Sequence, residues 1–255
     1  MGNIFNNSLI VFVISFAILW FSAWFGASVL RKKLTLEEGA RDSFGVVQAA
    51  TLTLLALIIG FSFSMAVDRY NQRKNYEEDE ANAIGTEYAR ADLLPPSDAA
   101  KVRALLRDYL QQRLQFYTVR DREILRQVST RTAQLQTEMW AAVVAPANRQ
   151  PTPVMALVVS GMNDVLNTQG YTQAAWWNRI PREAWLMMVA IAICCNLLVG
   201  YGMQSPTGKA ALLHVLPLVI SISFYLIADI DSPRRGYIFI TPQNLNSLAE
   251  SLRGR

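Results

Sequence analysis

Charge is what this chain has least of. Only 17% of its 255 residues are Asp, Glu, Lys or Arg, where a soluble domain carries about 25%. The shortage is uneven. Residues 1–30, 43–67 and 184–208 hold no charged side chain, and 210–228 hold only the ionisable His214. An ordinary soluble globule and a disordered chain are both excluded, because each is polar along its length. Histidine is almost missing too: His214 is the only one, so no Ser-His-Asp or Cys-His set can form between the apolar runs. The two cysteines, Cys194 and Cys195, are adjacent. That leaves no disulfide framework and no thiolate metal site, and cysteine usage does not reveal the compartment. A glycine-rich phosphate loop, a zinc spacing and a nucleophile elbow are all lacking, as is any alternating strand pattern with turn signals. Nothing in this inventory argues for an enzyme, and no cofactor is expected.

What is present is apolar sequence in four long pieces. About 20 apolar residues cross the hydrocarbon core as a helix, and backbone groups inside lipid must pair internally, so helices are the default. The runs predict spans at about Leu9–Leu30, Val46–Val67, Ala184–Tyr201 and Ala210–Ala228. The N-terminal run lacks a positive n-region and is longer than a signal-peptide core, so it reads as a retained span. Trp20, Trp24, Trp176, Trp177 and Trp185 lie near span ends. Interfacial aromatic belts and packing between helices both account for them.

Residues 68–183 contain 15 of the 24 cations and 14 of the 20 acids. That near balance leaves no surplus to hold phosphates, so no nucleic-acid partner is expected. The segment reads as helical. A first helix continues span two from Asp68 to Leu94 and ends at Pro95-Pro96. The next, about Asp98–Tyr117, repeats apolar residues at three- and four-residue steps. Another covers about Arg122–Val144. A shorter one covers about Val154–Leu166 and stops near Gly170. Amphipathic helices of this kind pack into a bundle.

The expected fold is therefore an all-α integral membrane protein with four transmembrane helices and a helical extramembrane domain inserted between spans two and three. The divisions are 1–67 for spans one and two, 68–183 for the helical domain, 184–228 for spans three and four, and 229–255 for a C-terminal tail. The two short loops carry Arg31, Lys32, Lys33, Arg41 and Lys209. The opposite side has Arg69, Arg73, Lys74, Arg179, Arg182, Arg234 and Arg235 near span ends. The positive-inside rule then favours a cytoplasmic helical domain, although the cluster directly after span one argues the reverse.

Span two carries the most chemistry. Gln48, Thr51, Leu55, Ile58, Ser62 and Arg69 share one face, and Thr53, Leu57, Phe61, Ser64 and Asp68 a neighbouring one. Polar residues inside a span face protein or water rather than lipid. One reading is a pore-lining helix with a hydrophobic constriction at Leu57, Ile58 and Phe61, polar rings from Gln48, Thr51, Thr53, Ser62 and Ser64, and exit charges at Asp68 and Arg69. The other is that hydroxyl and amide groups bind helix to helix. The run Glu77-Glu78-Asp79-Glu80 reads as solvated helix surface, with a charged vestibule or a cation site as the sharper alternative. Asp229 and Asp231 could hold a hard cation or pair with Arg234 and Arg235. His214 is a site candidate by its intramembrane position, or a histidine hydrogen-bonded between helices.

Several of these residues carry a family likeness. Gly60-Phe61, Ala66-Val67-Asp68-Arg69-Tyr70, the run from Glu80-Ala81-Asn82-Ala83-Ile84 through Gly85-Thr86-Glu87-Tyr88, and Leu93-Leu94-Pro95 resemble the bestrophin-like family of bacterial membrane proteins, a family without an established activity. Asp229-Ile230-Asp231-Ser232-Pro233 with Gly236 resembles that family's motif after the last span. The likeness extends from about Gly39 to Gly236 and is most specific at Glu80–Tyr88. True bestrophins are similar at a greater distance: pentameric anion channels with four spans, a cytosolic helical domain and a pore lined by the second span. Their neck residues, four apart and ending in a Gly-Phe pair, fall here on Phe61 and Leu57. The third falls on Thr53, which is polar and implies a shorter or leakier neck. Of their acidic calcium clasp only Asp229 and Asp231 have counterparts.

The resemblance implies an oligomeric, pentameric ion channel of anion preference in the bacterial inner membrane, whose partners are the bilayer, copies of itself and small inorganic ions. The competing expectation is a membrane-anchored interaction or sensor protein whose helical domain binds a partner or ligand.

Overall fold

The computed structural model describes residues 7–33, 40–203, 212–234 and 236–253. Lys209, Arg235 and Gly39, singled out above, lie outside them. The chain is all-helical, with no strand among the described residues. Helix α1 (Ser8–Phe25) continues through a π-helical turn at Gly26–Leu30 and one further turn, Arg31–Lys33. Helix α2 (Ala40–Arg90) is followed by a 3-10 turn at Ala91–Leu93. Then come α3 (Pro96–Thr118), α4 (Arg122–Arg149), α5 (Pro153–Trp177), α6 (Arg182–Gly202), α7 (Leu212–Asp231) and α8 (Gln243–Arg253). Among the described residues four stretches are long and apolar enough to cross a membrane: Ser8–Lys33, Arg41–Leu93, Pro153–Gly202 and Leu213–Asp231.

Local chemistry explains most of the boundaries. Proline begins α3 and α5, where its missing N–H costs nothing. Asp121 caps α4 by accepting from the amides of Glu123 (2.8 Å) and Ile124 (3.0 Å). Two expected boundaries are overrun. Helix α4 passes through Pro146 to Arg149, because a proline near a helix end removes only one backbone bond and its ring is buried here. Helix α5 does not stop near Gly170. The turns beyond it bury Thr172, Ala175 and Trp176, which offsets the roughly 1 kcal/mol that a mid-helix glycine costs.

The chain divides into two compact units, one of residues up to Arg69 together with Arg179–Phe239, the other of Tyr70–Asn178 and Ile240–Arg255. In the first, α1 packs against both α6 and α7. Small residues make this possible: a Cβ on Gly200 would collide with the backbone of Ala23, and one on Gly26 with the backbone of Leu197. Close backbone approach at small residues is how helices associate without a hydrophobic driving force. Trp185 is buried edge-on to Phe224, so it serves packing.

The second unit has a buried core from α2 through α5 and from α8. Leu106, Tyr109, Leu135, Met139, Val158 and Met162 are all but inaccessible, and Leu245, Ala249 and Leu252 of α8 close it. The inward face of α2 here is largely polar. Arg73 is buried and donates to the carbonyls of Ala175 (3.1 Å) and Asn178 (3.0 Å), capping the C-terminal end of α5. The acidic run is solvated only at Glu78 and Asp79. Glu77 is buried and accepts from Asn244 Nδ2 (2.7 Å) and the Leu245 amide (2.9 Å), which fixes the start of α8. Glu80, wholly buried, pairs with Arg113 and accepts from the Tyr117 hydroxyl at 3.2 Å. Burial, and then the Glu80 charge, push the Tyr117 phenol well above its ordinary range.

Glu87 differs from these. It is fully buried, and neither carboxylate oxygen has a hydrogen-bond partner. It faces Gly161 of α5, where an added Cβ would collide with both Glu87 and Arg90. Burial pushes its carboxyl up from 4.5 to about 8; Arg90 opposes the rise and Asp164 adds to it. The folded state therefore holds a proton here that the unfolded chain releases near 4.5. The resulting stabilisation is complete at lower pH and is lost as pH rises through about 8. Thermal unfolding of the purified protein should show Glu87→Gln melting above wild type at about pH 8.5 and level with it near pH 4.5. A difference that does not vary with pH would contradict this assignment.

Candidate functional site

Helix α2 has 51 residues, about 75 Å at 1.5 Å per residue. That is more than twice the roughly 30 Å of hydrocarbon in a bilayer. Its apolar part stands apart from the other three. In their most apolar windows 33%, 33% and 44% of residues are buried within the chain; in α2 only 6% are.

The two sequence-predicted faces of α2 separate in the structure. Leu55 and Ala66 are buried, and Gln48, Thr51, Ile58, Ser62 and Arg69 are half-buried. Contacts lie along this side: Phe44 meets the Tyr201 ring at 5.2 Å, and Cys195 Sγ donates to the Thr51 carbonyl at 3.3 Å. The neighbouring face is exposed at every step, at Thr53, Leu57, Phe61, Ser64 and Asp68. Leu57 is 53% exposed and Phe61 67%. The hydroxyls of Thr51 and Thr53 bond to carbonyls four residues back in their own helix, at 2.6 and 2.9 Å, so these side chains offer their methyls outward. Gly60 has nothing within 4 Å of where a Cβ would sit. The same face continues with Asn71, Asn75 and Glu78, all exposed.

Asp68 and Arg69, adjacent in sequence, have different environments. Asp68 is exposed. Arg69 turns inward and pairs with Asp231 at 3.4 Å. Asp231 also accepts from the Ile180 amide, at 3.2 and 3.3 Å to its two oxygens. Asp229 is buried and accepts from Ser8 Oγ (2.7 Å) and from the amides of Tyr237 (3.0 Å) and Ile238 (2.8 Å). These bonds join the start of α1, the end of α7 and the loop after it. Gly236 is required by this arrangement, since a Cβ would sit 2.5 Å from the Asp229 carbonyl and 2.9 Å from its Oδ2. The two carboxylates are thus engaged by separate sets of N–H and O–H donors. Among the described residues no three His, Cys, Asp or Glu side chains gather to hold a metal. His214 is exposed and stacks on Trp20 with ring centres 6.0 Å apart. Sequence reasoning missed Ser8 and the Arg69–Asp231 pairing. Their partners are more than 160 positions away, and no local pattern marks such a contact.

Replacing a buried acceptor by a donor leaves amides unmet, at about 1–3 kcal/mol each. Asp229→Asn should lower the thermal unfolding temperature of the purified protein, and Gly236→Ala should do so comparably through overpacking. Ser8→Ala, which loses one neutral hydroxyl, should cost about 1 kcal/mol. Unchanged melting in all three would show that the bonds around Asp229 do not support the fold.

Solved structures share this fold. A bacterial bestrophin homologue from Klebsiella pneumoniae superposes with a TM-score of 0.64 at 12% identity, covering 96% of this chain and 97% of that one. A single-substitution variant of the Klebsiella pneumoniae homologue gives 0.65 at 12% identity, with 97% and 98% covered, and a second gives 0.63 at 11%, with 96% and 97% covered. No curated protein matches the chain in sequence. The bestrophin-like domain family matches residues 11–245, nearly the whole length. On that match, and with the four apolar helices in place, the chain belongs to the bestrophin-like family of membrane proteins.

Proposed function

We propose that this protein is an oligomeric ion channel, pentameric as the likeness to bestrophins implies, with α2 lining the pore. The observation that supports it is the bareness of α2. A membrane helix with only 6% of its apolar window buried in its own chain, and with Ser64 and Asp68 on its exposed face, is poorly suited to lipid contact all round. Copies arranged about an axis give that face a wet surface and give the flanks protein neighbours. Leu57 and Phe61, one turn apart and about 6 Å along the axis, form the constriction. Thr53 and Ser64 flank it on either side. Ile58, Gln48, Thr51 and Ser62, half-buried in the single chain, support this wall rather than line it. Passage needs no catalysis, only a continuous wet path interrupted by an apolar ring that gates by dewetting. The helical unit lies on the cytoplasmic side of the bacterial inner membrane in this reading.

Selectivity follows from which charge faces the path. Arg69, the exit cation that would favour anions, is engaged by Asp231. Asp68, Asn71, Asn75 and Glu78 lie along the exposed face. A ring of Asp68 favours cations at that mouth, against the anion preference of the more distant bestrophins.

Single-channel recording on protein reconstituted in planar bilayers tests both parts. Phe61→Ala should raise unitary conductance severalfold, because the bulkiest ring residue is removed. Asp68→Asn should shift the reversal potential in asymmetric KCl towards the chloride value. Silent bilayers for wild type and for Phe61→Ala would refute the channel. So would a monomeric assembly, or a two-fold one with α2 packed away from any axis; either would return the reading to a membrane-anchored scaffold.

A further inference from the structure

A cavity of about 210 Å³ lies within the first unit, where α6 begins and α7 ends. At about 30 Å³ per liquid water it has room for several waters or one tetrahedral oxyanion. Arg179, Arg182, Trp185, Asp231 and Ser232 line it. Three features make this a place for a phosphate group. First, α6 starts behind Pro181 with no side-chain cap, Pro181 and Arg182 at that start line the cavity, and helix N-termini favour anions. Second, two arginines, each already with an interaction of its own, line the cavity beside one carboxylate. That carboxylate, Asp231, already receives Arg69 and the Ile180 amide. Third, Ser232 is only 3% exposed, and its hydroxyl has no hydrogen-bond partner. A buried hydroxyl normally finds a partner; Ser232, a residue of the cavity lining, shows none. Two carbonyls near the end of α7, those of Ala228 (3.1 Å) and Asp229 (3.2 Å), accept from the Ser232 amide.

We infer that this cavity binds a phosphate group, and that an anionic phospholipid headgroup is its source. The position along the chain favours lipid over a free anion. Arg182 is the last cation before the uncharged run 184–208, and Trp185 follows one turn later. Arginine at the boundary between charged and uncharged helix lies at headgroup level. A diester phosphate meets the guanidiniums there through charge-assisted bonds, with its acyl chains running along α6. The inference does not depend on the channel reading, since it concerns only the ends of α6 and α7.

The test uses the full-length protein in phosphatidylcholine nanodiscs with and without phosphatidylglycerol. Inorganic phosphate added to the protein in neutral detergent is the second probe. Thermal unfolding and native mass spectrometry are the readouts. Phosphatidylglycerol should raise the unfolding temperature and remain bound as a counted adduct. Arg182→Gln should weaken that retention about tenfold. Arg179→Gln should weaken it too. Ser232→Ala, which removes an unpartnered hydroxyl and so leaves the lipid-free protein at least as stable, should shrink the lipid shift. Arg126→Gln on the exposed face of α4 should change nothing. If inorganic phosphate stabilises the protein and phosphatidylglycerol does not, with the same variants losing the effect, the phosphate site stands and the lipid source falls. If neither probe acts, or if Arg179→Gln, Arg182→Gln and Ser232→Ala all respond as wild type does, the site is overturned.

Discussion

An apolar helix with almost no neighbours in its own chain is the constraint on which the rest depends. Backbone groups in α2 are paired internally wherever it lies, but its side chains must still meet something. Helices α1, α6 and α7 satisfy one another through small residues at Ala23, Gly26 and Gly200. Helix α2 touches this group along only a narrow side, at Phe44, Thr51 and Leu55. The remainder of its circumference is left for lipid, for other copies or for water. Ser64 and Asp68 on one exposed line make the three answers unequal, because polar side chains on a span favour protein or water over lipid.

Past Arg69 the same helix has the opposite problem. Its buried positions are Arg73, Glu77, Glu80, Ala81, Ile84, Glu87 and Tyr88. Four of these seven are Arg or Glu. Each is dealt with in its own way: Arg73 caps α5, Glu77 anchors α8, Glu80 pairs with Arg113, and Glu87 is held by burial in its neutral form. A buried ion pair contributes little net stability, but losing one partner costs about 3–5 kcal/mol. Such positions therefore tolerate few residue types, which suits them to fix how α3, α5 and α8 sit on α2.

That chemistry also sets how far the sequence could be read. The spans, the unbroken passage from span two into the helical segment, and the pair α3 and α4 follow from charge-free length and apolar period, which are local signals. The inner face of α2 gave no such signal, since hydrophobic periodicity is blind to a face built from Arg and Glu. The acidic run accordingly looked solvated when half of it is core. Gly170 and Pro146 looked like stops because their local cost is certain, while the burial that outweighs it comes from elsewhere in the chain. Helix α8 was legible in principle: Leu245, Leu248, Ala249 and Leu252 keep a helical step. On α2 the period identified two candidate faces but could not say which one turns inward, because that depends on where α6 lies.

The distribution of family-like residues bears on function in an unexpected direction. The most specific motif, Glu80 to Tyr88, is the stretch where α2 buries Glu80, Ile84, Glu87 and Tyr88. The motif after α7 is the stretch where Asp229 draws in two amides and excludes a side chain at Gly236. Both serve packing, so the likeness identifies a fold far more sharply than it identifies an activity. The exposed line of α2 is different: Phe61 and Asp68 fall within the family-like stretches and Leu57 on a matching neck position, while Thr53 stands polar where the resemblance implies an apolar neck residue. A wall can change its side chains without disturbing a core, because nothing within the subunit packs against it. Relatives that share the bundle can therefore differ along that line, and a test of the proposed channel belongs there rather than in the motifs that carry the family likeness.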